Sequence, residues 1–168
     1  MEKLHRLLQG NWRDVVFGSI AVLVVIADQL TKWWITANLT LGEVLWDAGI
    51  LRIIHIQNTG ASFGIFKDHT QTIIIVVFIE IFIILFIVYL LRNRLTFIDS
   101  MLMRSGIGLI MGGAIGNQID RLLQGYVTDF IDFKFWPVFN VADSSAVVGT
   151  IIVAYCIIFH SGLTKHRE

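Results

Sequence analysis

The chain has 168 residues, of which 55% are hydrophobic and 15% charged, well below the roughly 25% charged residues of soluble domains. With a net charge of zero and a mean hydropathy of +0.72, it reads as an integral membrane protein: one small bundle, with no room for an appended soluble domain and no basic footprint for nucleic acid. The single cysteine, Cys156, lies in an apolar run, makes no internal disulfide, and reads as a packed thiol.

A membrane-crossing helix needs about 20 mostly apolar residues, and four segments qualify. The first covers residues 15–35 and carries Asp28 and Lys32 toward its far end. It is too long for a signal-peptide core and is expected to be retained. Residues 50–56, rich in β-branched side chains, predict a strand lying at the membrane surface. The second span covers 73–91 and is apolar except for Glu80, to which no role is assigned. The third covers 102–119 and is rich in glycine; Gly112 and Gly116 have the small-xxx-small spacing that lets helices approach closely. The fourth covers 143–159. The expected fold is an all-α membrane protein, a single domain over 1–168 of four transmembrane helices with a small extracytoplasmic β-like flap.

Basic residues orient the bundle. Lys3, Arg6 and Arg13 precede the first span, Arg92 and Arg94 follow the second, Arg104 stands at the entry of the third, and Lys165 and Arg167 follow the fourth. The positive-inside rule makes all of these cytoplasmic, with both termini inside. The connections 37–72 and 122–141 then face outward. Trp33, Trp34 and Trp46 suit an interfacial belt.

The polar groups gather at that outer surface. Asp28 and Lys32, four residues apart, share a helix face, as a structural ion pair or as catalytic groups. Asn58-Thr59-Gly60 reads as a turn. Asn117, Asp120 and Arg121 mark the outer end of the third span, with Asp120 favoured as a cap or ion-pair residue. Asp143 opens a helix, where a carboxylate is either an ordinary cap or a functional group. Asp129 has apolar neighbours in Val127, Phe130 and Ile131 and no such structural excuse, whereas Asp132 reads as a solvated strand end. Carboxylates at membrane depth are costly and usually functional, and two near one surface are the minimum for acid/base activation of water. Ser144 and Ser145 have no activating base nearby and read as helical hydroxyls. The scattered histidines make no zinc motif.

Taken in order, five blocks resemble the bacterial lipoprotein signal peptidase family, also called signal peptidase II. They are Asp28-Gln29-Leu30-Thr31-Lys32, Asn58-Thr59-Gly60-Ala61-Ser62-Phe63, the run from Gly112 to Arg121, Val127-Thr128-Asp129-Phe130, and Phe139-Asn140-Val141-Ala142-Asp143-Ser144. Ser62 stands where alanine is common, at a tolerant position. The resemblance implies a membrane aspartic endopeptidase of the bacterial cytoplasmic (inner) membrane, with its active site at the extracytoplasmic face. Such an enzyme cuts a prolipoprotein just before a cysteine that already carries a diacylglyceryl group. It implies Asp129 and Asp143 as the catalytic pair, and Asn58, Gly60, Asn117, Arg121 and Asn140 around the substrate. Asp28, Lys32 and Asp120 become structural support. The implied partners are prolipoprotein, membrane lipid and a globomycin-type inhibitor, with the enzyme a monomer that uses neither cofactor nor metal. The same residues also admit an ion-coupled carrier using Asp28, Glu80 and Asp143 as relay groups, or a non-catalytic scaffold. Charge concentrated at one surface and the lack of an inverted repeat weigh against a carrier.

Overall fold

The computed structural model describes residues 2–60, 70–91 and 100–160. In chain order these form α1 (Glu2–Asn38), β1 (Val44–Asp47), β2 (Arg52–Asn58), α2 (Thr70–Leu91), α3 (Met101–Gln124), β3 (Val127–Asp132) and α4 (Val141–His160). Ala61, Ser62 and Phe63 and the side chain of Glu80 lie outside the described residues.

The four helices fall where the apolar runs place them, and each overruns its expected bounds. With 37 residues, α1 reaches about 55 Å at 1.5 Å per residue, longer than the roughly 30 Å hydrocarbon core. Its first turns contain no proline to stop them. Ser100 caps α3 by accepting the Met103 N–H, and Gly125 closes it in the left-handed region at φ 80°, its N–H on the Arg121 carbonyl. Asn117, Asp120 and Arg121 therefore sit inside a helix rather than beyond one.

α3 is the hub, packed chiefly on α4 and α1 and more lightly on α2. Its glycines make this possible. A Cβ on Gly112 would meet the Ala21 carbonyl of α1 at 2.8 Å, and one on Gly113 would run into the Ala142 carbonyl of α4. The buried apolar cluster of Ala21, Met103, Ile107, Met111 and Cys156 joins α1, α3 and α4, with the thiol packed as expected. Outward, Val22, Leu23, Ile26, Phe78, Phe82, Phe86, Ile151 and Ile158 are all exposed. Contiguous exposed apolar surface of this extent marks a lipid-facing surface or an interface. Asp14–Asn38 and Val141–Phe159 are long and apolar enough to cross a membrane.

The expected strand at 50–56 appears as β2, at the centre of an antiparallel sheet ordered β1-β2-β3. No sequence feature announces β1; Asp132, expected at a strand end, does end a strand, and that strand is β3, which holds Asp129. It pairs across β2 as Asn58↔Val127, Ile56↔Asp129 and Arg52↔Asp132, with a bulge between Ile53 and Ile56. Phe130 of β3 packs on Ile35 and Leu39, joined by Ile53 and Ile131 of the sheet, which fixes the sheet over the end of α1. Asp132 is not the solvated strand end that alternation suggested: it is buried. Strand pairing puts Arg52 opposite it, with Nε 2.5 Å from its carboxylate, and its other oxygen accepts the Lys134 N–H at 2.7 Å.

Candidate active site

The two singled-out carboxylates come from different elements. Asp129 lies mid-strand in β3, buried under the sheet. Asp143 lies in the first turn of α4. The residue that caps this helix is Asn140: its Oδ1 accepts the Asp143 N–H at 3.0 Å, and an Asp143 oxygen accepts the Asn140 N–H at 3.2 Å. This reciprocal capping box fixes the Asp143 side chain against the helix start. Ser144 and Ser145 return their hydroxyls to the helix carbonyls of Asn140 and Val141, both at 2.9 Å, as expected of helical hydroxyls.

Each carboxyl oxygen of the pair receives one protein donor. Asp129 Oδ1 accepts from Asn140 Nδ2 at 2.7 Å and Oδ2 from Asn58 Nδ2 at 2.9 Å. Asp143 Oδ1 accepts from Asn117 Nδ2 at 2.8 Å, while its Oδ2 takes the Asn140 backbone. Asn140 thus donates to both acids, through its side chain to one and its main chain to the other. The burial of Asp129 comes first in pushing its carboxyl up to about 7, and the neighbouring charge of Asp143 adds to it, against the two amide donors and the charge of Lys32. A carboxyl poised near neutrality is suited to both giving and taking a proton.

Behind the pair lies a buried polar knot. Lys32 Nζ is 2.8 Å from Asp28 Oδ2, 3.1 Å from Asp120 Oδ2 and 2.8 Å from Asn117 Oδ1. Asp28 also accepts the Ala142 N–H at 2.9 Å, and Asp120 the Thr128 N–H at 3.0 Å. The knot therefore staples α1 and α3 to the chain just before each catalytic candidate. Gln29, to which the sequence reading gave no role, joins by donating to Asp120 at 2.9 Å and to the Gly116 carbonyl at 3.1 Å. Gln118, equally unassigned, donates to the Ile74 carbonyl of α2 at 3.0 Å and faces Arg121. Their only sequence signal was a polar residue within an apolar helix beside a singled-out one.

A cavity of about 910 Å³ opens over the two acids. Asn58, Gly60, Asn117 and Arg121 share its polar side; Val138, Phe139, Val147 and Val148 supply an apolar wall. Arg121 reaches the Gly60 carbonyl with Nη2 at 3.5 Å. The structure thus gathers Asn58, Gly60, Asn117, Arg121, Asp129 and Asp143 at one cavity, Asn140 directly beneath them, and Asp28, Lys32 and Asp120 one layer below. Among the described residues no group of His, Cys, Asp and Glu is arranged to hold a metal ion.

The fold is that of a bacterial membrane enzyme. Two solved structures, described as bacterial membrane enzymes obtained by the in meso method, superpose with TM-scores of 0.76 and 0.67 at 33% and 35% identity, covering 89% and 83% of this chain and 91% and 90% of theirs. The family described as Signal peptidase (SPase) II matches residues 20–159. A lipoprotein signal peptidase of Dehalococcoides mccartyi is 41% identical over 152 residues, 89% of this chain and 94% of the relative; one of Moorella thermoacetica is 38% identical over 147 residues, covering 87% and 95%. The chain belongs to the signal peptidase II family, proteases that remove signal peptides from prolipoproteins.

Proposed function

We propose that this protein is an aspartic endopeptidase that cuts diacylglyceryl-modified prolipoproteins just before the lipidated cysteine, with Asp129 and Asp143 as its catalytic pair. The observation that carries this reading is the ring of donors: four carboxyl oxygens, each met by one protein N–H, beside a cavity wide enough for a peptide. Two close carboxyls share a proton and titrate as a pair. Asp129, held near neutrality, carries that proton; Asp143 takes a proton from the attacking water. Asp129 donates to the scissile carbonyl oxygen as the C–O bond forms. The tetrahedral intermediate then collapses, and a proton passes to the departing amine.

Asn58 and Arg121 align the extended substrate backbone, and the apolar wall of Val147 and Val148 lies toward the lipid chains. All four helices cross the inner membrane, both termini are cytoplasmic, and the sheet covers the site on the extracytoplasmic side, where a diacylglyceryl anchor holds the scissile bond near the headgroups. Globomycin-type peptides occupy the same cavity, and the enzyme works as a monomer. No cofactor takes part.

The test is cleavage of a diacylglyceryl lipobox peptide in detergent. Wild type is expected to cut before the modified cysteine, and Asp129→Asn and Asp143→Asn, folded by thermal melting, to lose at least about 1000-fold in kcat, as removal of a catalytic acid or base does. Near-normal cutting by either folded variant removes that aspartate from the mechanism. Solute flux in proteoliposomes without cutting would make the protein a carrier instead.

A further inference from the structure

The buried ammonium of Lys32 has three acceptors: Asp28, Asp120 and the side-chain oxygen of Asn117. The first two make an ion-pair cluster; the third does something different. An amide has an oxygen end and a nitrogen end, and which end faces which neighbour is set by hydrogen bonding. Lys32 cannot accept, so Asn117 must turn Oδ1 toward it. That oxygen is also met by Asn140 Nδ2 at 3.0 Å, so two donors agree. The nitrogen end is then left pointing at Asp143 Oδ1, 2.8 Å away. Reversing the amide would set N–H against ammonium on one side and oxygen against carboxylate on the other.

We propose that Lys32 is a positioning residue for the reaction, which acts through Asn117 to keep an N–H donor on Asp143 and, through the shared oxygen, holds the Asn140 side chain on Asp129. Lys32 touches neither acid nor substrate. It sets the polarity of two of the three side-chain amides that touch the acids, Asn117 and Asn140, so that the pair is surrounded by donors and its mobile proton is left for water and substrate. This inference rests on the endopeptidase reading above.

A purely structural lysine would move stability alone, so the test needs a kinetic readout. The charged and titratable groups around Asp129 are Asp143 on α4, Lys32 on α1 and Arg121 on α3; the Lys32 charge lowers the Asp129 carboxyl. Lys32→Met is assayed on the lipidated lipobox peptide across pH, with the folded fraction set by melting in detergent. The expected result is a kcat lowered at least about 10-fold, a fraction of the roughly 100-fold cost of removing one oriented donor outright. KM should stay within about threefold, because Lys32 itself touches no substrate, and the alkaline limb of the profile, set by loss of the Asp129 proton, should move to higher pH. In an Asn117→Ala background, Lys32→Met should cost little more, since the intermediary is already gone.

If Lys32→Met does not fold, the charge-balanced double variant Asp28→Asn with Lys32→Met replaces it, and the same kcat loss with the same non-additivity against Asn117→Ala decides. A folded variant with wild-type kcat and an unmoved alkaline limb, or losses that simply add to those of Asn117→Ala, overturns the inference. Failure of wild type to cut would instead overturn the endopeptidase reading, and so the two failures are separable.

Discussion

Asp129 shows how burial of a single side chain ties stability to pH. An unperturbed aspartate loses its proton near 3.8, whereas Asp129 keeps its proton up to about 7, chiefly because it is buried and then because Asp143 is beside it. Between these values the folded state binds the proton and the unfolded chain does not, so stability falls as pH rises through that window, by at most about 4 kcal/mol. Thermal melts in detergent from pH 4 to 8 should show this decline in wild type and a flatter profile in Asp129→Asn; matching profiles would mean that the carboxyl is not perturbed in this way. In the sequence Asp129 stood out because its neighbours are apolar, and the structure gives that contrast its cause: the strand is covered on both faces. Asp132, three residues on, defeats the same reasoning. Alternation marks which face a residue is on, but burial of both faces and the cross-strand Arg52 depend on a pairing that lies 80 residues away in the chain.

At the scale of elements, the glycines of α3 set how close the helices come. Gly113→Ala should destabilise by about 1–3 kcal/mol, because the new methyl meets the Ala142 carbonyl at the start of α4, where neither backbone can give way. Gly18→Ala on α1, which has open space around it, should instead gain roughly 0.5–1 kcal/mol from helix propensity. Melting temperatures in one detergent would compare the two; equal effects would show that the close approach does not limit packing. Helices were legible because a run of apolar residues needs no partner to declare itself. The sheet was legible only by half. β2 announced itself through β-branched residues, but β3 is six residues long, its pattern is too short to separate from a loop, and its partner is far along the chain. The helix cap was assigned to Asp143 or left as function, and the structure makes this a false choice: Asn140 caps, and Asp143 completes the box while facing the cavity.

At the scale of the whole molecule, polarity is inverted relative to a soluble protein: the buried centre holds Asp28, Lys32, Asn117, Asp120 and Asn140, while the outer faces are apolar. The proposed orientation rests on where the basic residues fall. A cysteine introduced at Asp47, at the exposed end of β1, should react with a membrane-impermeant maleimide in intact cells, and one introduced at Lys3 only after permeabilisation; the reverse pattern would invert the proposed topology. The residues of the site were legible as separate blocks, and their resemblance to a family ordered them, but nothing in the sequence said that Asn140 serves both acids at once. This arrangement has a consequence for antibiotics aimed at this cavity. A compound that hydrogen-bonds the two aspartates and the amides of Asn58 and Asn117 copies contacts on which the proposed reaction itself depends. Resistance by substitution at those positions would then have to surrender the activity it was meant to protect, leaving the apolar wall of Val147 and Val148 as the place where escape mutations should collect.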